Sequence, residues 1–214
     1  MDAYNKIVKY ANNLYPFAGD ITRLIDHCKK MGIEDNLYFQ KVHQGGFCAL
    51  ENALRFYTLN KAFGVHDLFI WNFPHTWKKM FSSIIQEPFW CFGEDVFANQ
   101  YIFYHSKICI FECETGNIIE LCNTFEEWLN LIISSPDYYS GYSVSQQWQR
   151  KNPQEPINSQ YNLSAIIPFV CRGEYTAENV FRIDSLKNME LKANFANQIQ
   201  GLPEGTHIKF KFTP

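Results

Sequence analysis

The stretch Gln100-Tyr101-Ile102-Phe103-Tyr104-His105-Ser106-Lys107-Ile108-Cys109-Ile110-Phe111-Glu112 decides the fold. Two short runs of β-branched and aromatic residues flank a turn at His105-Ser106-Lys107, the pattern of a hairpin. A second turn at Thr115-Gly116-Asn117 leads into Ile118, so strands at 100–104, 108–112 and 118–121 form a meander. Connections this short force neighbouring strands to run antiparallel.

Working outward, Thr124-Phe125-Glu126-Glu127 has the spacing of a capping box, and Phe125, Trp128, Leu129 and Ile132 form one apolar helical stripe behind it. That helix is expected to pack on the sheet. Toward the N-terminus, Ile21, Leu24, Ile25 and Cys28 share a helical face, with Asp20 as N-cap and Gly32 as stop. Ile7, Val8, Ala11 and Leu14 suggest an earlier helix ending before Pro16, and residues 49–59 read as another behind Gly45-Gly46. Residues 1–60 are therefore expected to be mainly helical. Residues 66–71 resemble a strand and 74–81 a short amphipathic helix.

Residues 134–164, broken by Pro136, Gly141, Pro153 and Pro156, read as a long polar excursion. The last stretch, 165–214, reads as strand, helix, strand. A strand at 179–183 precedes a helix capped by Asp184 or Ser185 that buries Leu186, Met189, Ala193, Ala196 and Ile199 and ends at Gly201 and Pro203. At 206–212, Ile208, Phe210 and Phe212 alternate with His207, Lys209 and Lys211, as in a strand covered on one face. Strands joined by short turns, with helices grouped before, between and after them, give an α+β single domain, 1–214, with a central antiparallel meander sheet flanked by helices.

The totals fit this class. Aromatics are 17% of the 214 residues and charged groups 19%, which is core-forming rather than disordered composition. The formal charge is −3 and the 19 Lys and Arg are scattered, so a nucleic-acid partner is not expected. The first residues lack the basic and apolar regions of a signal peptide, and no apolar run reaches membrane-spanning length, so the expected location is the cytoplasm, without membrane contact. The seven cysteines form no C-x-x-C pair and read as free thiols in a reducing compartment.

No assembled catalytic motif is legible. His105, Cys109 and Cys113 would align as zinc ligands on a helix, but in an extended strand Cys109 and Cys113 stand about 13 Å apart. Ligands of one zinc must lie within about 4 Å of each other. A thiol–imidazole pair assembled in space stays open as an alternative. Of the adjacent or near carboxylates, Glu126 and Glu127 serve a helix N-terminus and Glu112 and Glu114 flank a turn; Glu94-Asp95 has no local structural role. No cofactor fingerprint is present. Trp128 and Trp77 read as core, whereas Trp148, in the polar excursion, reads either as an exposed partner anchor or as a ring pinning that loop.

Several of these segments together resemble a family. Phe92-Gly93-Glu94-Asp95-Val96-Phe97-Ala98-Asn99-Gln100 with its hairpin, then Glu114-Thr115-Gly116-Asn117-Ile118-Ile119-Glu120 and Thr124-Phe125-Glu126-Glu127-Trp128-Leu129, are similar to the central part of the SUKH superfamily. Gly141-Tyr142, Trp148, Ile167-Pro168-Phe169-Val170-Cys171-Arg172-Gly173-Glu174-Tyr175, Asn179 and Leu202-Pro203-Glu204-Gly205-Thr206 resemble a longer bacterial branch, so the likeness covers about residues 66–214. Ala98 and Arg172 stand where that branch usually has glycine, so a left-handed backbone at either place would be harder to reach.

The resemblance implies an α+β protein-binding scaffold without catalytic, cofactor or metal residues. Bacterial SUKH proteins are commonly immunity proteins that neutralise polymorphic toxins by stoichiometric binding, and fungal relatives of the Smi/Knr kind regulate cell-wall synthesis. The expected partner is thus a protein, such as a cognate toxin domain. The residues expected to meet it are Trp90, Phe92, Glu94, Asp95 and Trp148, the acidic pair facing a basic nuclease. The competing readings are a regulatory adaptor and, last, a hydrolase using a Cys–His or carboxylate pair.

Overall fold

In the computed structural model, residues 2–203 and 205–208 are described. The chain runs α1 (Ala3–Val8), β1 (Ala11–Tyr15), α2 (Ile21–Lys30), α3 (Asn36–Gln44), β2 (Gly46–Ala49), β3 (Leu54–Phe56), α4 (Leu68–Asn72), β4 (Trp90–Asp95), β5 (Gln100–Tyr104), β6 (Lys107–Phe111) and β7 (Ile118–Cys122). It continues through α5 (Phe125–Ser134), α6 (Pro136–Ser140), α7 (Tyr142–Lys151), β8 (Tyr161–Ala165), β9 (Val180–Asp184) and α8 (Ser185–Ile199). The architecture is α+β: β1 to β7 form one antiparallel sheet in sequence order, a meander from edge to edge, and β8 pairs with β9 in a separate hairpin.

Both faces of the large sheet are covered. On one, Tyr38 of α3 and Phe125 and Trp128 of α5 meet Phe92 and Phe103, with ring centroids 4.9–5.8 Å apart. On the other, Trp77, Phe81 and Phe89 surround Phe111 at 5.2–5.9 Å. The apolar stripe of α5 is buried as its spacing predicts, at about 1.5–3 kcal/mol per side chain. Thr124 Oγ1 accepts from Glu127 N at 3.2 Å, while Glu127 Oε2 reaches back to Asn123 N at 2.9 Å.

The structure corrects several expectations. Residues 1–60 are not mainly helical: α1 stops at Val8, and three of the seven strands lie there. The segment 49–59 is a hairpin, not a helix. All residues of β2 and β3 are buried, so the two-residue alternation of a half-exposed strand is missing. In place of the strand expected at 66–71, α4 begins at Leu68, because Asp67 caps it by accepting from Phe69 N and Ile70 N at 3.1 and 3.3 Å. In 74–81 only a 3-10 turn, Lys78–Phe81, forms. The polar excursion is largely structured as α6, α7 and β8, since Pro136 opens α6 and Gly141, at φ +71°, turns the chain into α7. The strand at 179–183 and the helix capped by Asp184 are present, with Leu186 and Ile199 only half-buried. Of the expected strand at 206–212, residues 206–208 are not in a strand and the remainder lies outside the described residues.

Ala98 and Arg172 both adopt the left-handed backbone, at φ +70° and +66°. Ala98 lies in the four-residue connection, 96–99, between β4 and β5: its N–H donates to Asp95 O at 3.2 Å, and Asp95 N to Asn99 O at 3.1 Å. Arg172 is followed by Gly173, where a Cβ would lie 1.9 Å from Ile167 O. An L-residue in this region costs about 1–2 kcal/mol, part of which glycine's larger unfolded-state entropy offsets. Ala98→Gly and Arg172→Gly are each expected to raise the unfolding free energy by about 0.5–1 kcal/mol in urea titrations. A loss of stability in both would refute this account of the two turns.

Candidate functional site

The five residues singled out in the sequence are not a surface. Trp90, Phe92 and Glu94 lie in β4, covered by helices on both sides, and all are buried, as are Asp95 and Trp148. Trp90 Nε1 donates to Tyr38 Oη at 2.8 Å, and Trp148 packs with Ala53, Val96, Phe97 and Leu163 in a second core that fixes α7 and β8 to the sheet. The pinning role of Trp148 is the one observed.

Glu94 instead organises a buried polar cluster. Its Oε1 is ion-paired with Arg55 of β3, accepts from Asn162 Nδ2 at 3.1 Å, and lies 3.1 Å from His66 Nε2, an ion-pair distance without an aligned hydrogen bond. Its Oε2 accepts from Gln100 Nε2 at 2.9 Å, and Gln100 Oε1 accepts from Trp71 Nε1 at 2.7 Å. Burial alone would raise the Glu94 carboxyl, but His66, Arg55 and the hydrogen bonds together hold it below its ordinary range. Arg55 Nη2 also donates to Asn158 O at 2.8 Å and to Tyr161 O, which ties the start of β8 to the main sheet.

Asp95 shapes the β4–β5 loop. Its Oδ1 accepts from Phe97 N and Asn99 N at 2.9 and 2.8 Å, and its Oδ2 from Asn99 Nδ2 at 2.8 Å. Burial pushes its carboxyl up to about 7 against those bonds. Six of the seven cysteines are buried. Burial raises Cys28 and Cys91 to about 12 and Cys48 to about 11, where a thiol supplies little thiolate at neutral pH.

Asp95 also forms part of the floor of a cleft of about 530 Å³ between the β6–β7 end of the sheet, α6 and the loop carrying Tyr175. Glu112, Asp137 and Asp95 supply carboxylates; Tyr138 and Tyr175, 83% and 64% exposed, stand at its wall; Ile110, Ile119 and Leu121 supply an apolar surface. No basic side chain lines it among the described residues. The walls are held in place. Asp137 Oδ1 accepts from Ser143 N at 2.7 Å, Tyr101 Oη donates to Tyr139 O, and Tyr175 stacks on Phe169 at 3.9 Å. Gly141 is required where α6 meets the loop, because a Cβ would lie 2.5 Å from the Phe97 ring. The negative field is felt inside: burial, with Glu114, Asp95 and Glu112 adding, raises the Tyr175 phenol to about 12.

None of Glu112, Asp137, Tyr138 and Tyr175 is adjacent to another in a motif except Asp137-Tyr138, so only the fold assembles them. The pairing of Glu112 with the turn at Thr115-Gly116-Asn117 was a usable signal, because Thr115 Oγ1 donates to Glu112 Oε2 at 3.1 Å and leaves the carboxylate half-exposed beside the cleft. Among the described residues no helix is long and apolar enough to cross a membrane.

No family model matches this chain, and no curated protein matches it. Among solved structures, the chain is similar to that of Atu4351 from Agrobacterium tumefaciens, with 13% identity, a TM-score of 0.52, and coverage of 88% of this chain and 87% of that one, a likeness that shows the fold alone.

Proposed function

We propose that this chain is a cytoplasmic, non-enzymatic binding protein of the immunity type, resembling SUKH proteins, which neutralises a bacterial toxin by stoichiometric binding. The observation that carries this reading is the acidic, tyrosine-walled cleft. Exposed tyrosines held on α6 and on the loop that packs Tyr175 against Phe169 give contact area at low entropy cost, and carboxylates around an apolar surface attract a basic partner and fix its register. Many toxin domains of the nuclease class present such a basic surface, because they bind phosphate backbones.

The test is inspection of the genes beside this chain's own and co-expression with any toxin they encode. The wild-type chain is expected to restore growth and to elute with the toxin as a stoichiometric complex. Asp137→Asn, which keeps the acceptor for Ser143 N, is expected to weaken both, and Glu112→Lys/Asp137→Lys to lose both. Protection retained by the double variant would contradict the cleft as the docking surface. A gene without toxin neighbours, and a chain that binds none, would favour the regulatory-adaptor reading.

A further inference from the structure

The cleft continues along an open strand edge. β7 pairs with β6 and has no sheet partner on its other side among the described residues. Between that edge and α5 runs a groove of about 550 Å³ lined by Glu120, Leu121, Cys122, Glu127, Leu131 and Ser134. Leu121 lines both hollows, so groove and cleft adjoin at this side chain beside β7. The register, Cys109 opposite Glu120 but Ile108 opposite Cys122, makes Leu121 a bulged residue and leaves Ile118, Ile119 and Glu120 as the regular edge.

An unpaired strand edge is a template for an added strand, and proteins usually blunt it. The opposite edge, β1, is blunted. It is bulged between Ala11 and Asn13, its Asn12 Oδ1 is taken by Asn52 N at 3.1 Å, and Pro16 follows it. β7 carries charge instead. Glu120 and Glu127 border the groove, Glu112 and Asp137 the cleft, and Lys107 sits 3.1 Å from Glu120. A second copy paired antiparallel through β7 would bring two such carboxylate sets together, which is destabilising. A basic occupant has the complementary charge.

We infer that the regular edge of β7 accepts an extended, basic segment of the partner protein as an eighth strand, with one arginine or lysine side chain entering the tyrosine-walled cleft. This deepens and rests on the proposed binding function. Main-chain bonds to β7 supply affinity; on the Ile119 face apolar side chains settle on Ile119 and Leu121 and one basic side chain enters the cleft beside Glu112 and Asp137, while on the opposite face basic side chains meet Glu120. A guanidinium beside Tyr138 or Tyr175 gains cation–π attraction in addition.

The experiment follows amide hydrogen exchange of the full chain with three synthetic peptides. The first alternates arginine and valine with one valine replaced by the arginine that enters the cleft, the second has the same sequence N-methylated on alternate amides, and the third carries glutamate for arginine. The first is expected to slow exchange at Ile118–Glu120 about tenfold, with the other two giving no protection there. Glu120→Lys is expected to abolish the effect, and Glu120→Gln to weaken it. Equal protection by the N-methylated peptide, protection centred on β1, or none at millimolar arginine peptide would overturn strand addition. If these peptides fail while a toxin still binds through Glu112 and Asp137, the edge pairing falls and the immunity reading stands. If they succeed while no toxin binds, the reverse holds.

Discussion

Arg55→Met is expected to lower the unfolding free energy by about 3–5 kcal/mol, because it leaves a buried carboxylate without its ion-pair partner. Arg55 and Glu94 are both fully buried, and removing the guanidinium leaves a carboxylate with only His66, Gln100 and Asn162 beside it. It also strips the donors from Asn158 O and Tyr161 O, loosening the β8–β9 hairpin from the sheet. Arg55→Met/Glu94→Leu is expected to recover most of the loss, because the uncompensated charge goes with its partner. Urea unfolding of the four members of this cycle reads the coupling directly. A double variant no more stable than Arg55→Met would show that the pair does not act as a unit.

The second large effect is a dependence on pH with two opposing arms. The folded-state value of Glu94 lies below its ordinary 4.5, so its stabilisation is present above pH 4.5 and is lost as pH falls from there. Asp95 runs the other way. Burial raises it from 3.8 to about 7 in the fold, so the unfolded state gains by ionising first and stability falls as pH rises from 3.8 to about 7, then levels off. Asn99 and Lys192 favour the carboxylate and Glu94 opposes it, but desolvation is the largest influence.

Asp95→Asn keeps an acceptor for Phe97 N and Asn99 N and removes the titration. The stability difference between wild type and this variant is therefore expected to shift by about 2–4 kcal/mol against the wild type between pH 4 and 7, and to be flat above. Thermal unfolding of both proteins across that range reads it. A constant difference would mean that Asp95 is ionised throughout and that its three hydrogen bonds outweigh its burial.

How much of this was legible in the chain depended on what surrounds each element. β5, β6 and β7 were readable because the turns between them are short and marked by Gly116 and Asn117. α5 and α8 were readable from caps at Thr124 and Asp184. β2 and β3 were not, since helices cover both faces. Their connection through Leu50, Glu51 and Asn52 also uses three consecutive non-glycine residues at φ between +53° and +58°. That turn carries no local signal; α7 holds it from a distance, with Ser145 Oγ and Gln149 Nε2 donating to Glu51 O at 2.6 and 2.8 Å.

Buried polarity misled in the same way. Asn162 and Ser164 make β8 look like loop, yet both are buried, and Asn162 is there to serve Glu94. Glu94 has a long-range structural role through Arg55, His66 and Asn162, whereas Asp95, expected to have no local role, has one: it holds the β4–β5 loop through Phe97 and Asn99. Asp95 alone among the expected contact residues reaches the cleft, as part of its floor. The cleft's own walls come from Glu112 beside the β6–β7 turn, Asp137 and Tyr138 in α6 and Tyr175 between β8 and β9, and of these only Glu112 sits by a turn that the sequence marks.

The most direct measurement is calorimetric titration of a basic nuclease-type toxin domain, from a gene beside this chain's own where one is found, into the wild-type chain and into Glu112→Lys/Asp137→Lys, at low and at physiological salt. A one-to-one complex is expected, weakening with salt and losing about 100-fold or more in affinity on charge reversal. Unchanged affinity in the reversed variant, with its fold intact, would contradict the claim that this acidic cleft is where the partner docks.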